Sequence, residues 1–162
     1  MAHSLHAIIR ERYGFRCGYC GVSEVESGGE LTIDHYVPLS AEGDDEERNL
    51  VHACFRCNLY KGDTLPFEGS PRVQKILHPL FDDLTIHLRL DNTTGLLESL
   101  TTTGTTHIAI LRLNRPALVL RRLQQTLDAL QSRRSELLET ENRQLREMNS
   151  RLLAILNFLP PD

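Results

Sequence analysis

Two CxxC motifs constrain this chain more than any other feature: Cys17–Cys20 and Cys54–Cys57, separated by 33 residues and together holding all four cysteines. A structural zinc site takes four thiolate or imidazole ligands in a tetrahedron, often from two such pairs. Whatever folds in between must therefore bring residues 17–20 and 54–57 to one point. The run FRCGYCG reads as a zinc knuckle, its glycines letting backbone amides turn toward the thiolates. Disulfides are the poorer reading. The opening MAHSLHAIIRERYG lacks the apolar core of a secretory signal, and disulfides do not persist in a reducing compartment. The expected location is cytoplasmic. No apolar run approaches the roughly 18–20 residues that span a membrane; the longest, Leu152 to Leu159, is interrupted by Asn157. With four protein ligands the zinc has no open position, so its role is structural.

Between the cysteine pairs, Leu31 to His35 alternates apolar and polar residues as a strand does, and it delivers Asp34 and His35 side by side. Pro38 to Arg48 is a polar loop with five acids between Glu42 and Glu47. Asn49 follows and, taken alone, reads as a helix N-cap before Leu50. The second half of 49–61 is helical in character, places Asn58 directly after Cys57, and ends at Lys61-Gly62. Neighbours on a strand point to opposite sides, so Asp34 and His35 can serve separate roles where the strand ends. A neutral imidazole can take a proton from water. Asp34 and the Asn58 carbonyl are hard oxygen ligands that suit Mg2+. An amide carbonyl beside the imidazole, such as that of Asn49, would fix its tautomer.

The ordered set CxxC, DHxxPxS, NL and CxxCNxxK, over residues 8–62, resembles the HNH endonucleases. The resemblance implies an α+β fold: a ββα-metal (His-Me) finger on a core stapled by zinc through four cysteines. It implies hydrolysis of DNA phosphodiester bonds, with Zn2+ as structural ion and Mg2+ or Mn2+ as catalytic ion. His35 becomes the general base and Asp34 and Asn58 the catalytic metal ligands. Asn49 orients the histidine and braces the loop, and Lys61 meets a phosphate. Weaker similarity continues through His78-Pro79, the strand around His87 and LRLNRP at 111–116. The chain departs from the family after Pro38, where Ala41-Glu42-Gly43-Asp44 stands in place of paired glycines. Arg56, between the second pair of cysteines, is a candidate for the DNA backbone.

A net charge of −4 argues against a broad nucleic-acid-wrapping surface. A local basic patch is compatible with it, because residues 76–162 carry ten basic and ten acidic side chains. The competing reading is a catalytically silent zinc module that binds nucleic acid or protein through its helix. The intact set Asp34, His35, Asn49 and Asn58 favours the enzyme.

The chain divides into a nuclease core (1–66), a hairpin and short helix packed on that core (67–116), and a long helix (117–162). Leu5, Ile8, Ile9 and Tyr13 predict a helix over 4–13. Ser23 to Glu30 reads as loop, and 63–80 as irregular. Leu84–Leu90 and Leu96–Leu100 read as strands around a turn at Asp91–Gly95. Gly104 precedes a helix over 105–113, and Pro116 restarts one in its first turn. Leu138, Leu145, Leu152 and Leu159 then recur every seven residues, with Asn142 and Asn149 at the alternate seam positions, a pattern that suits a coiled coil. Either a second copy of the chain or another partner helix covers 117–158, or the helix packs back on its own domain. A length of roughly 60 Å at 1.5 Å per residue favours a partner, and a homodimer is the simplest one.

Overall fold

A computed structural model describes residues 4–64 and 76–157. Part of the expected irregular stretch 63–80, residues 65–75, lies outside the described residues. The chain divides into two compact units, Met1–Leu120 and Arg121–Asp162.

The first unit begins with α1 (Leu5–Arg12), capped by the Ser4 hydroxyl accepting from the Ala7 amide. Ile9 is its fully buried residue. Residues 23–30, expected as loop, contain the one-turn helix α2 (Glu24–Ser27). It forms because Ser23 and Glu26 make a reciprocal capping box, the Glu26 amide donating to the Ser23 hydroxyl and the Ser23 amide to the Glu26 carboxylate, and Gly28 closes it in the left-handed region at φ +78°.

Strand β1 (Thr32–His35) pairs antiparallel with β2 (Leu50–Ala53), with Asp34 opposite Val51 and His35 opposite Leu50. The loop between them carries two short 3-10 turns, Leu39–Ala41 and Glu47–Asn49. Asn49 therefore leads into a strand and is no helix N-cap. Helix α3 (Phe55–Lys61) follows β2 with Cys54 as its N-cap. β1, β2 and α3 together make a ββα unit.

After residue 76, the first half of the expected strand Leu84–Leu90, Leu84–Ile86, is instead a 3-10 turn, because the Asp83 carboxylate caps it by accepting from the Thr85 amide. β3 (Leu88–Leu90) and β4 (Leu97–Ser99) form a hairpin. The Asp91 carboxylate accepts from the amides of Thr93 and Thr94, which fixes the turn. Helix α4 (Thr102–Ile110) starts earlier than expected and contains Gly104. Thr101 caps it by accepting from the Gly104 amide. The glycine is required there because a Cβ would lie 2.2 Å from the His87 carbonyl oxygen. Helix α5 (Pro116–Asn157) begins with the proline in its first turn, where no amide is needed.

The core of the first unit is built around the cysteines. Cys17, Cys54 and Cys57 pack with Tyr19, Leu31, Val51, Ala53, Ile76, Leu111, Leu113 and Leu118. The architecture is mixed α and β, with two small hairpins and one long C-terminal helix. Among the described residues no helix is long and apolar enough to cross a membrane.

Candidate active site

The two CxxC pairs meet. Cys17 and Cys20 sit in a turn closed by the Gly21 amide donating to the Cys17 carbonyl at 2.7 Å, with Gly21 at φ +73°. Cys54 and Cys57 sit at the start of α3, where the Cys57 amide donates to the Cys54 sulfur at 3.5 Å. All four sulfurs lie within 4.8 Å of one another, and Cys20 and Cys54 are 3.7 Å apart. A zinc–thiolate tetrahedron with bonds of about 2.3 Å has sulfur–sulfur edges of about 3.8 Å. The donor set therefore fits a zinc ion. Hydrogen bonds from Cys17, and then from Cys20 and Cys57, hold the Cys54 thiol far below its usual range, while Cys57 is pushed up by the same neighbours. Four thiolates cannot coexist at this spacing without a cation among them.

The ββα unit brings a second set together. Asp34, on β1, is 6% exposed. Its Oδ2 accepts from the Tyr19 hydroxyl at 2.6 Å and its Oδ1 from the Lys61 ammonium at 3.1 Å. Burial pushes the Asp34 carboxyl above its usual range, and the Lys61 charge and the Tyr19 hydroxyl pull the other way. His35, the last residue of β1, places Nε2 2.7 Å from the Asp45 carboxylate. Asn58, on α3, donates from Nδ2 to the Thr32 hydroxyl at 3.4 Å. Asp34, His35, Asn58 and Lys61 line one cavity of about 290 Å3 with Leu39 and Gly62. Each carboxylate oxygen has two acceptor sites, so one hydrogen bond on each oxygen of Asp34 leaves lone pairs for a cation. Asp34 and Asn58 line the same cavity, so their oxygens are the hard donors it offers to a divalent ion.

Other expected residues take different positions. Lys61, expected to meet phosphate, is buried at 2% exposure. Its ammonium donates to Asp34, to the His35 carbonyl at 2.6 Å and to the Gly62 carbonyl at 3.4 Å. A lysine this deep needs an anionic partner, and Asp34 is that partner. Asn49 braces the loop: its Oδ1 accepts from the Val37 amide at 2.7 Å, and its Nδ2 donates to the carbonyls of Val37 and Asp44. None of these bonds reaches the imidazole, which is oriented by Asp45 instead. Arg56 is exposed on α3 and does not line the cavity. His78 packs on Phe81 and Tyr36 in a separate cavity with Asn49. His87 bonds to the Thr101 hydroxyl.

Tyr19 and Asp45 were not singled out from the sequence. Tyr19 stands between Cys17 and Cys20, so the first CxxC turn reaches Asp34 directly, across 15 residues of sequence that carry no local signal for it. Glu24 was missed as well. Its carboxylate accepts from Arg10 Nε at 2.8 Å and Nη2 at 2.7 Å and lies 3.1 Å from His52 Nε2. The Arg10 guanidinium holds it down at about 2. This cluster ties α1, α2 and β2 together behind the site.

Residues 17–64 match the model of the HNH endonuclease family. That stretch takes in both cysteine pairs, Asp34, His35, Asn49, Asn58 and Lys61. The chain is also 43% identical over 58 residues to the CRISPR-associated endonuclease Cas9 of Corynebacterium diphtheriae, an alignment of 35% of this chain and 5% of that protein. The chain therefore carries an HNH endonuclease domain at 17–64, and it spans only a small part of the curated relative's length. No solved structure matches it.

Proposed function

We propose that this chain is a divalent-metal-dependent endonuclease that hydrolyses DNA phosphodiester bonds. The observation that carries the reading is the single cavity in which the ββα unit gathers Asp34, His35 and Asn58. Asp45 accepts the Nε2 proton of His35, which leaves Nδ1 with its lone pair to take a proton from water. The assignment of the donor on that ring follows from the acceptor-only carboxylate. Asp34 and Asn58 would hold Mg2+ or Mn2+, which would supply positive charge for the phosphate and the leaving 3′ oxygen. Tyr19 and Lys61 fix the Asp34 carboxylate in place. Asn49 holds the loop that carries Asp45 by bonding to Val37 and Asp44. Arg56, exposed on α3, contacts the DNA backbone. The four-cysteine set holds a structural zinc ion and keeps the knuckle, and with it Tyr19, against Asp34. Four thiols that persist for metal binding fit a reducing cytoplasm.

A homodimer through 117–158 completes the reading. Leu138, Leu145 and Leu152 are 47%, 45% and 52% exposed and lie one heptad apart. A coiled coil covers such a seam, and Asn142 and Asn149 on it would set register. Two sites in one dimer cut both strands; a single site nicks.

The test is conversion of supercoiled plasmid to nicked and linear forms. Added Mg2+ or Mn2+ is expected to support it, and omission of both ions to stop it at unchanged zinc content. A protein that binds plasmid but cuts under neither condition is instead the catalytically silent zinc module.

A further inference from the structure

We propose that Arg115 is a positioning residue of the four-cysteine centre, offsetting the negative charge that four thiolates leave on a zinc ion. This rests on the structural-zinc reading above and extends it to a residue outside the matched domain. Its Nη2 lies 3.6 Å from the sulfur of Cys57, 3.8 Å from Cys20 and 3.9 Å from Cys54. It thus faces three of the four ligands at once, from sequence distances of 58, 95 and 61 residues.

The charge balance gives this contact a purpose. A divalent cation with four thiolates carries two net negative charges, in a core where Cys17 and Cys57 are buried. A guanidinium stays charged at any working pH, and its N–H groups donate to sulfur. It removes one of the two charges and holds the ligands in their anionic form. Outer partners of this kind raise ligand affinity by restraining the ligands and matching their charge.

The chain takes a strained path to deliver the residue. Arg112, just past the end of α4, adopts φ +47°, a region that non-glycine residues enter only at an energetic cost. The Arg112 and Leu113 amides there donate to the Ala109 and Ile108 carbonyls. The resulting turn carries Arg115 back over α3. The other half of its guanidinium is anchored, with Nη1 donating to the carbonyls of Leu111 at 3.1 Å and Arg112 at 3.3 Å. Tyr60, on α3 beyond Cys57, takes Arg112 on its ring at 4.6 Å and Arg115 at 5.8 Å. Arg112 therefore shares the turn and the ring with Arg115, but of the two it is Arg115 that comes within 4 Å of the sulfurs. That makes Arg112 the control.

The experiment compares wild-type protein with R115Q, R115K and R112Q. Each is loaded with zinc, its metal content is measured, and zinc release to a chromogenic chelator is followed while circular dichroism reports the fold. R115Q is expected to weaken zinc retention by about 10–100-fold. R115K is expected to recover most of that loss, and R112Q to hold zinc as wild type does. R115M serves if R115Q does not fold. Retention unchanged in the chargeless variant overturns the proposal, as does an equal loss in R112Q or in R115K. Wild-type protein that binds no zinc at all overturns the metal centre itself, a result distinct from any of these.

Discussion

Tyr19→Phe tests the link between the zinc knuckle and the hydrolytic site. The substitution removes one hydroxyl and leaves a ring of nearly the same volume in a site that is 6% exposed, so the packing loss is small. What is lost is the 2.6 Å hydrogen bond to Asp34 Oδ2. A hydrogen bond to a charged group contributes about 1.5–3 kcal/mol, and Asp34, also 6% exposed, has little water to replace it. Denaturant unfolding of the zinc-saturated proteins is expected to show a loss of that size. The cycle of wild type, Tyr19→Phe, Asp34→Asn and the double variant isolates the pair. Its coupling is expected to be about 1.5–3 kcal/mol, because Tyr19 and Asp34 are in direct contact. Zinc content should not change, since the hydroxyl bonds to no cysteine. A coupling near zero, or loss of zinc from Tyr19→Phe, would refute the role given to this residue.

Lys61→Met leaves a buried carboxylate without its cation, and breaking such a pair costs about 3–5 kcal/mol. A lysine that only meets phosphate would change stability by no more than about 0.5 kcal/mol, so unfolding of this variant separates the two roles. Cys54→Ser should lose zinc and folded structure together, and a stable zinc-free variant would contradict the structural role of the centre. His107 is buried, and desolvation lowers its pKa to about 4. Its folded pKa lies below its unfolded value, so the stability it contributes is present above about pH 6.5 and is lost as pH falls toward 4, up to about 3 kcal/mol. His107→Asn should flatten the stability profile in that window, and an unchanged slope would exclude His107 as its source.

The features legible in the sequence are those with a local signal. The CxxC pairs, the alternation into Asp34-His35, the periodicity of α1 and the Asp91–Gly95 turn each lie within a dozen residues. Ser23 and Glu26 carried a local signal too, a capping box, but four helical residues give no periodicity to accompany it. β2 was hidden because Leu50–Ala53 is buried on both faces. A strand without alternation cannot be told by pattern from the start of the helix behind it. Gly104 was expected just before its helix and lies within it, because the reason for a glycine there is the His87 carbonyl 17 residues away. In the site, residue types were legible while partners were not. Lys61 was expected at a phosphate because its partner, Asp34 on β1, is 27 residues away in sequence. Asn49 was expected at the imidazole, where Asp45 stands, since the acidic loop alone gives no indication of which carboxylate folds back.

The proposed metal-dependent hydrolysis depends on His35 to move the proton. Plasmid nicking by His35→Ala, with Mg2+ and at matched zinc content and circular dichroism, is the decisive measurement. Nicking should fall to the level of the control without added Mg2+, with the fold and zinc intact. Cleavage at the wild-type rate would show that the cavity holding Asp34, His35 and Asn58 does not work as described.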